Sequence, residues 1–248
     1  MAKRILDIID LKRSFTVGSE TVHALKGVSF TVDAGEFVTI MGSSGSGKTT
    51  MLNILGCLDK PTDGQYLLDG VDVKGLSRDE LAKLRNRKIG FVFQSYNLLA
   101  RTSALENVEL PLLYNSDVPA KERKEKGIKA LESVGLGDRL DHVPNQLSGG
   151  QQQRVAIARA LVNEPVMILA DEATGNLDTR TSYGIMALFQ ELNAKGKTIV
   201  FVTHEPDIAT FSSRTITLKD GRVVKDVKNE NIRSAKEMLA ALPVDKDY

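Results

Sequence analysis

The 248-residue sequence predicts an α/β fold with a mainly parallel sheet, an N-terminal antiparallel β subdomain and an inserted α-helical subdomain. Strand patterns alternate with amphipathic helix patterns toward both ends of the chain, which is typical of a parallel sheet covered by helices. The first third is rich in short strand patterns, and from Ser95 to about Pro165 the character changes to helical. We therefore expect a single domain over residues 1–248, with a helical subdomain at approximately 95–164 inserted in the α/β core.

The first part of the chain contains five strand patterns and two helix patterns. The strands are "ILDIIDL", "ALKGVSFTV", "EFVTIMG", "QYLLDGVDV" with an Asp69-Gly70 turn, and "IGFVF". A helix is predicted from about Gly47, and its apolar face contains Met51, Leu52, Leu55 and Leu58. A second helix, "SRDELAKLRNR", begins with a serine suited to capping it.

The remaining elements are helical at first and then alternate. The helices are "PAKERKEKGIKALESVG", "SGGQQQRVAIARALV" and "TRTSYGIMALFQELNAKG". The strands are "VMILAD" and "TIVFVTH", followed by the hairpin "RTITLKDGRVV" with an Asp-Gly turn. Residues 229–248 are predicted to form a polar C-terminal tail with at most one short helix.

Composition narrows the class of protein. Lys plus Arg is 33 and Asp plus Glu is 32, so the formal net charge is +1, without the basic excess typical of nucleic-acid binders. We expect no nucleic-acid partner. The single cysteine, Cys57, lies in an apolar pattern and is predicted to be a buried residue of a protein in a reducing compartment. Because no apolar run approaches the ~18 residues of a membrane span, we expect a cytoplasmic protein whose membrane role depends on a partner.

The segment "GSSGSGKT", from Gly42 to Thr49, matches the phosphate-loop pattern G-x-x-x-x-G-K-[ST] at every fixed position. It follows a strand and opens a helix, so its backbone N–H groups can converge on a phosphate. Lys48 is predicted to neutralise the β- and γ-phosphates, and the Thr49 hydroxyl to bind Mg²⁺. The alternative is a surface turn that matches by chance. The residues predicted to bind nucleotide here are Gly42, Ser43, Ser44, Gly45, Ser46, Gly47, Lys48, Thr49 and Thr50.

Two adjacent carboxylates, Asp171 and Glu172, end the apolar strand in "VMILADEATGNLD". Burying such a pair is unfavourable unless a cation or donor meets it, so the pair either lies in an exposed turn or faces positive charge. The phosphate loop favours the second interpretation. Asp171 is then predicted to hold Mg²⁺, and Glu172 to accept a proton from the water that attacks the γ-phosphate.

The segment "LSGGQQQR", Leu147 to Arg154, resembles the signature motif of ABC-type ATPases. A local interpretation is compatible with it, because Ser148 and Gln151 also have the spacing of a capping box. The family's other motifs follow the expected order. Gln94 in "FVFQSYN" resembles the Q-loop glutamine, "GNLD" resembles the D-loop, and His204 in "FVTHE" resembles the switch histidine. The resemblance covers roughly residues 3 to 225.

This resemblance implies a P-loop NTPase core of the RecA-like type and Mg²⁺-dependent hydrolysis of ATP. It implies that Glu172, His204 and Gln94 act in catalysis, and that Thr49, Gln94 and Asp171 hold the metal. It places Ser148, Gly149, Gly150 and Gln151 on the nucleotide of a second copy, so that two chains enclose two ATP molecules head to tail. Phe15 stands where the family has an aromatic ring that stacks on adenine, although core packing is an alternative for this residue.

Within the family, "LNILGCLDKPTDG" and "FVFQSYNLLARTSALENVELPLLY" are similar to the macrolide-export and lipoprotein-release group (the MacB, LolD and YknY type). The chain departs from the family at Ala173, where proline usually follows the catalytic glutamate. The resemblance implies a subunit at the inner face of the cell membrane that drives a separate permease docked near the Q-loop and the helical subdomain. The alternative is a non-transport ABC ATPase, such as a cell-division regulator with a permease-like partner. A small P-loop kinase or GTPase does not explain "LSGGQ".

Overall fold

The computed structural model describes residues 3–243 and contains ten strands in two sheets. The strands are β1 (Arg4–Val17), β2 (Glu20–Asp33), β3 (Phe37–Met41), β4 (Asp63–Leu68), β5 (Val71–Asp72), β6 (Ile89–Phe93), β7 (Met167–Asp171), β8 (Thr198–Thr203), β9 (Arg214–Lys219) and β10 (Arg222–Lys228). An antiparallel sheet has the order β2-β1-β4-β5, and a six-stranded sheet has the order β10-β9-β3-β8-β7-β6.

Eight α-helices and one 3₁₀ turn complete the described part of the chain. The helices are α1 (Lys48–Leu55), α2 (Arg78–Lys88), α3 (Ala104–Leu113), α4 (Ala120–Ser133), α5 (Gly149–Leu161), α6 (Thr179–Ala194), α7 (Pro206–Ala209) and α8 (Ala235–Ala241), and the 3₁₀ turn spans Pro144–Gln146. Serine capping boxes begin α2, α3 and α5, which satisfies backbone N–H groups that a helix start leaves free.

The six-stranded sheet is parallel except for β10 at its edge. Its register brings the carboxyl ends of four strands level, because Met41 pairs with Thr203, and Asp171 pairs with both Val202 and Phe93. The segments that leave β3, β6, β7 and β8 therefore begin at one edge of the sheet, where ligands bind in α/β proteins.

Apolar residues pack in two clusters on opposite sides of this sheet. Phe37, Phe189 and Phe201 belong to the cluster between the sheet and helices α3 to α6. Val38 and Cys57 belong to the cluster that joins the sheet to α1 and the antiparallel sheet. Cys57 is buried as predicted, and its burial raises the pKa of the thiol to about 11.

The predicted fold class is confirmed, since the chain combines a mainly parallel sheet, an antiparallel β region and helices between β6 and β7. That those helices form a separate subdomain at 95–164 stays a prediction. Leu58 was wrongly placed on the face of α1: the helix ends at Leu55, Cys57 takes a φ of 52°, and Leu58 is 52% exposed.

The C-terminal tail contains the short helix that the sequence allowed, and it is less polar in its contacts than its composition indicated. Ala235 of α8 is fully buried, and Met238 packs against the cluster that includes α6. Residues 1–2 and 244–248, which include the end of the predicted tail, lie outside the described residues. Between residues 3 and 243, no helix has the length and apolar character that a membrane crossing requires.

Candidate active site

The phosphate-loop segment connects the end of β3 to the start of α1. Gly45 and Gly47 have φ values of 77° and 101°, which glycine adopts without steric penalty. At Gly47 glycine is also required by space, because a Cβ there would lie 2.8 Å from the Ala24 carbonyl oxygen. No side chain caps α1, so its first N–H groups are available to an anion.

Lys48 lies across this loop. Its Nζ donates to the carbonyl oxygens of Gly42 at 2.7 Å and Ser43 at 3.0 Å. The ammonium group is thus held on the loop that leads into α1, so its positive charge adds to that of the helix N-terminus.

A cavity of about 1120 Å³ opens in front of the loop. The predicted residues that line it are Gly42, Ser43, Ser44, Gly45, Gly47, Lys48, Thr49, Thr50, Asp171, Glu172 and His204. Ser46 is the buried residue of the loop, and its Oγ has no hydrogen-bond partner among the described residues. The other predicted residues, namely Phe15, Gln94 and Ser148 to Gln151, do not line this cavity.

Asp171 ends β7 and faces the loop from the neighbouring part of the sheet edge. Burial raises the pKa of its carboxyl group, the neighbouring Glu172 raises it further, and Lys48 opposes the shift. A carboxylate in this environment gains from a cation. With the Thr49 hydroxyl in the same cavity, the oxygen donors fit Mg²⁺, which takes one or two protein ligands together with substrate phosphates. Within residues 3–243, no cluster of three His, Cys, Asp or Glu side chains forms a metal site by protein ligands alone.

Glu172 has an unusual backbone conformation, with a φ of 45° in the left-handed region. Its N–H donates to the Val202 carbonyl at 2.8 Å, and its own carbonyl accepts from the Gly175 N–H at 2.9 Å. The Glu172 carboxylate oxygen Oε1 lies 2.7 Å from Nδ1 of His204. The structure therefore brings together two residues that are 32 positions apart in the chain.

Gln94 follows β6, at the same sheet edge, and its side chain is turned toward the D-loop segment. Its Nε2 donates to Oδ1 of Asn176 at 3.2 Å. The sequence placed Gln94 with Asp171 and Thr49 as a metal ligand, and the structure keeps its amide outside the cavity that those two residues line.

Ser148 caps α5, and the capping box with Gln151 that the sequence indicated is present. The two glycines after it pack closely against other elements. A Cβ at Gly149 would lie 2.9 Å from Tyr96 Oη, and one at Gly150 would lie 2.5 Å from a methyl group of Thr181. The Ser148 side of α5 is exposed at a place separate from the phosphate loop of the same chain.

Phe15 belongs to neither apolar cluster and is 37% exposed, so the structure gives no support to a core role. The guanidinium carbon of Arg13 lies 4.4 Å from the ring centroid and covers one face.

His23 lies opposite Ser14 in the β1–β2 register and lines the cavity, as do Lys26 and the Asp220–Gly221 turn. No local sequence pattern assigns a site role to these residues, because their approach to the phosphate loop depends on strand pairing.

The site combines a strand, a glycine loop with an inward lysine, and a helix. The loop faces an aspartate that ends a parallel strand two positions away in the same sheet. These features define a P-loop NTPase. The sequence profile of the ABC transporter family matches residues 25–175. The chain therefore belongs to the ABC transporter family, as an ATPase of that family.

Individual relatives agree with this assignment. An uncharacterized ABC transporter ATP-binding protein of Thermotoga maritima is 57% identical over 221 residues, which is 89% of this chain and 94% of that protein. The uncharacterized ABC transporter ATP-binding protein YknY of Bacillus subtilis is 54% identical over 89% of this chain and 95% of its own length. The macrolide export ATP-binding/permease protein MacB of Chlorobaculum tepidum is 51% identical over 94% of this chain. The match covers only 36% of the length of MacB.

A solved structure gives the same result for the fold. The ATP-binding cassette MJ0796, described as a dimer in a post-hydrolysis state bound to ADP and Pi, has a TM-score of 0.81 and 48% identity. The match covers 91% of this chain and 99% of the cassette. A second dimeric structure of the same cassette has a TM-score of 0.82.

Proposed function

We propose that this ATPase uses Mg²⁺, encloses two ATP molecules as a head-to-tail homodimer, and drives a separate membrane permease of the export or lipoprotein-release type. The observation that carries the proposal is the Glu172–His204 contact of 2.7 Å at a cavity that also contains Lys48 and Asp171.

Each of these side chains has a task in hydrolysis. Lys48 and the N–H groups at the start of α1 bind the phosphates, and Thr49 and Asp171 hold the metal. Mg²⁺, when bound, neutralises negative charge on the phosphates. The Glu172 carboxylate accepts a proton from the attacking water, and His204 holds that carboxylate in place through the hydrogen bond from Nδ1.

The shared site is supported by the separation of Ser148 from the phosphate loop of its own chain. The capping box of α5 uses the N–H groups of Ser148 and Gln151, and those of the two glycines between them can donate to an anion on another molecule. The similar cassette MJ0796 is described as a dimer bound to ADP and Pi, which supports the same arrangement in this chain. Gly149, Gly150 and Gln151 complete the contact.

Permease docking is supported by a groove of about 770 Å³ between α2, β6 and α3. Its lining includes apolar side chains such as Phe91, Leu110 and Tyr114, together with cationic Lys83 and Arg159. The groove extends to Asn97, three residues after Gln94. A membrane segment seated there places the chain peripherally at the inner face of the cell membrane. The similarity to MacB, an ATP-binding/permease protein, supports an export-type partner. The cell-division alternative is not favoured by these comparisons.

The Glu172→Gln variant tests this function. It keeps the size of the side chain and removes its basicity, so ATP and Mg²⁺ should bind while hydrolysis stops. Light scattering should then show a dimer with ATP, and a monomer with ADP or without nucleotide. Glu125→Gln is the matched control, because Glu125 is an exposed residue of α4 paired with Lys129, and it should behave as wild type. Hydrolysis at the wild-type rate in Glu172→Gln would remove Glu172 as the base.

A further inference from the structure

Gln153 is a fully buried amide on α5, five residues after the cap Ser148. Its Nε2 donates to the Ala173 carbonyl at 2.8 Å and to the Phe93 carbonyl at 3.3 Å. One side chain thus contacts the last residue of β6 and the loop that follows β7.

These two carbonyl groups flank residues of the candidate active site. Ala173 directly follows Glu172, and Phe93 directly precedes Gln94. The contact to Ala173 lies one residue beyond Glu172, whose left-handed backbone is a conformation that a glutamate keeps only when its surroundings hold it. The Val202 carbonyl holds Glu172 from its N–H side, and Gln153 holds the following residue. Because residue 173 is alanine, no proline ring fixes φ at this point.

The oxygen of the Gln153 amide, in contrast to its nitrogen, makes no hydrogen bond within the described part of the chain. Oε1 of Gln153 is buried and has no hydrogen-bond partner among residues 3–243. A buried oxygen without a partner is unfavourable, and an apolar side chain of the same size would avoid that disadvantage. The gain from Gln153 therefore lies in its amide nitrogen and the two loops it joins.

We propose that Gln153 is a positioning residue, which fixes the Glu172 loop for hydrolysis and connects it to α5, the helix that Ser148 caps. The proposal rests on the proposed function, because Glu172 must be the base and the start of α5 must meet the nucleotide of the second copy. Through Gln153, the helix that touches one ATP then supports the glutamate that acts on the other.

The test is the Gln153→Met variant, which keeps the length of the side chain and removes the donor. We expect kcat for ATP to fall roughly 10- to 100-fold, because small displacements of a catalytic group have effects of this size. ATP affinity, measured by titration with a fluorescent nucleotide, should stay within about twofold, since Gln153 does not line the cavity. Gln153→Asn keeps an amide but shortens its reach, and it should show the same loss of kcat. This variant replaces Gln153→Met in the test if the Met variant does not fold.

Asn107 provides the matched control. It is another fully buried amide, and its Nδ2 donates to carbonyl groups of Leu99, Thr102 and Ser103, away from the active site. Asn107→Leu should lower the melting temperature and leave kcat unchanged in the folded protein.

Wild-type kcat in both Gln153 variants would overturn the proposal, as would a fall in kcat equal to that of Asn107→Leu at the same loss of stability. Failure of the proposed function is distinguishable, because wild-type protein would then form no dimer with ATP, or Glu172→Gln would hydrolyse ATP at the wild-type rate.

Discussion

Gln94 and Asn176 are joined by two hydrogen bonds. Gln94 Nε2 donates to Asn176 Oδ1, and Asn176 Nδ2 donates to the main-chain carbonyl of Gln94, each at 3.2 Å. Gly175 leaves room for this pair, since a Cβ there would lie 2.7 Å from Gln94 Nε2. The predicted Q-loop glutamine is thereby joined to the predicted D-loop segment, outside the cavity that Thr49 and Asp171 line.

Replacement of Gln94 by alanine should separate binding from hydrolysis. We expect the affinity for ATP without Mg²⁺ to remain that of wild type, because Gln94 does not line the cavity. Mg²⁺-dependent hydrolysis should fall, since the amide oxygen is a predicted ligand of the metal. Gln65→Ala, on the antiparallel sheet, is the control for a polar side chain remote from the site. Equal hydrolysis in Gln94→Ala and wild type would exclude Gln94 as a metal ligand.

Lys48→Ala should abolish detectable ATP binding in isothermal titration calorimetry. The variant loses the ammonium group that now bridges the Gly42 and Ser43 carbonyls and is predicted to meet the β- and γ-phosphates. Lys129→Ala serves as the control, because Lys129 is a largely exposed residue of α4. This variant should bind ATP with wild-type affinity. Near-wild-type affinity in Lys48→Ala contradicts the phosphate-loop assignment.

Phe15→Ala should weaken ATP binding by about 1–3 kcal/mol, the range expected for loss of a stacking platform. Inorganic triphosphate, which has no base to stack, should bind the variant and the wild type equally. Since Phe15 lies outside both apolar clusters, its replacement should leave the melting temperature almost unchanged. A lower melting temperature with unchanged ATP affinity is the result that rejects stacking.

Ser148→Arg should leave ATP binding by the monomer intact and suppress hydrolysis, because the added bulk enters the proposed dimer interface. The substitution also removes a helix cap, so Ser103→Arg, which removes the equivalent cap of α3, is the control and should remain active. When Ser148→Arg and Lys48→Ala chains are mixed, one composite site is intact. We expect more hydrolysis in the mixture than in either variant alone, and no recovery would count against the shared site.

Asp171→Asn should raise the melting temperature of the nucleotide-free protein at pH 7. The pKa of Asp171 is raised in the folded state, mainly by burial, so the folded chain keeps its proton to higher pH than the unfolded chain does. The stability from that bound proton is present at low pH and lost as pH rises through the folded-state pKa. The gain from asparagine should therefore disappear in melts near pH 3, and Mg²⁺-dependent ATP binding should fall. A variant that melts below wild type at pH 7 and matches it near pH 3 would reverse the predicted sign.

The local sequence determined the elements that depend on short-range chemistry. The phosphate loop follows from its glycines and Lys48, the start of α5 from the Ser148–Gln151 capping box, and β7 from a continuous apolar run before Asp171. The helix end after Leu55 was misjudged, because the apolar period continues to Leu58 while the backbone turns at Cys57.

Tertiary structure alone decided which distant side chains meet. The contact of His204 with Glu172 needs the parallel register of β7 and β8, and the place of His23 at the cavity needs the pairing of β1 with β2. The turn of Gln94 toward Asn176 and the reach of Gln153 to Ala173 depend on how α5 and two loops pack at one sheet edge. Residue spacing fixes hydrogen bonds within a turn or a helix, whereas contacts across strands and helices depend on register and packing, which no local pattern contains.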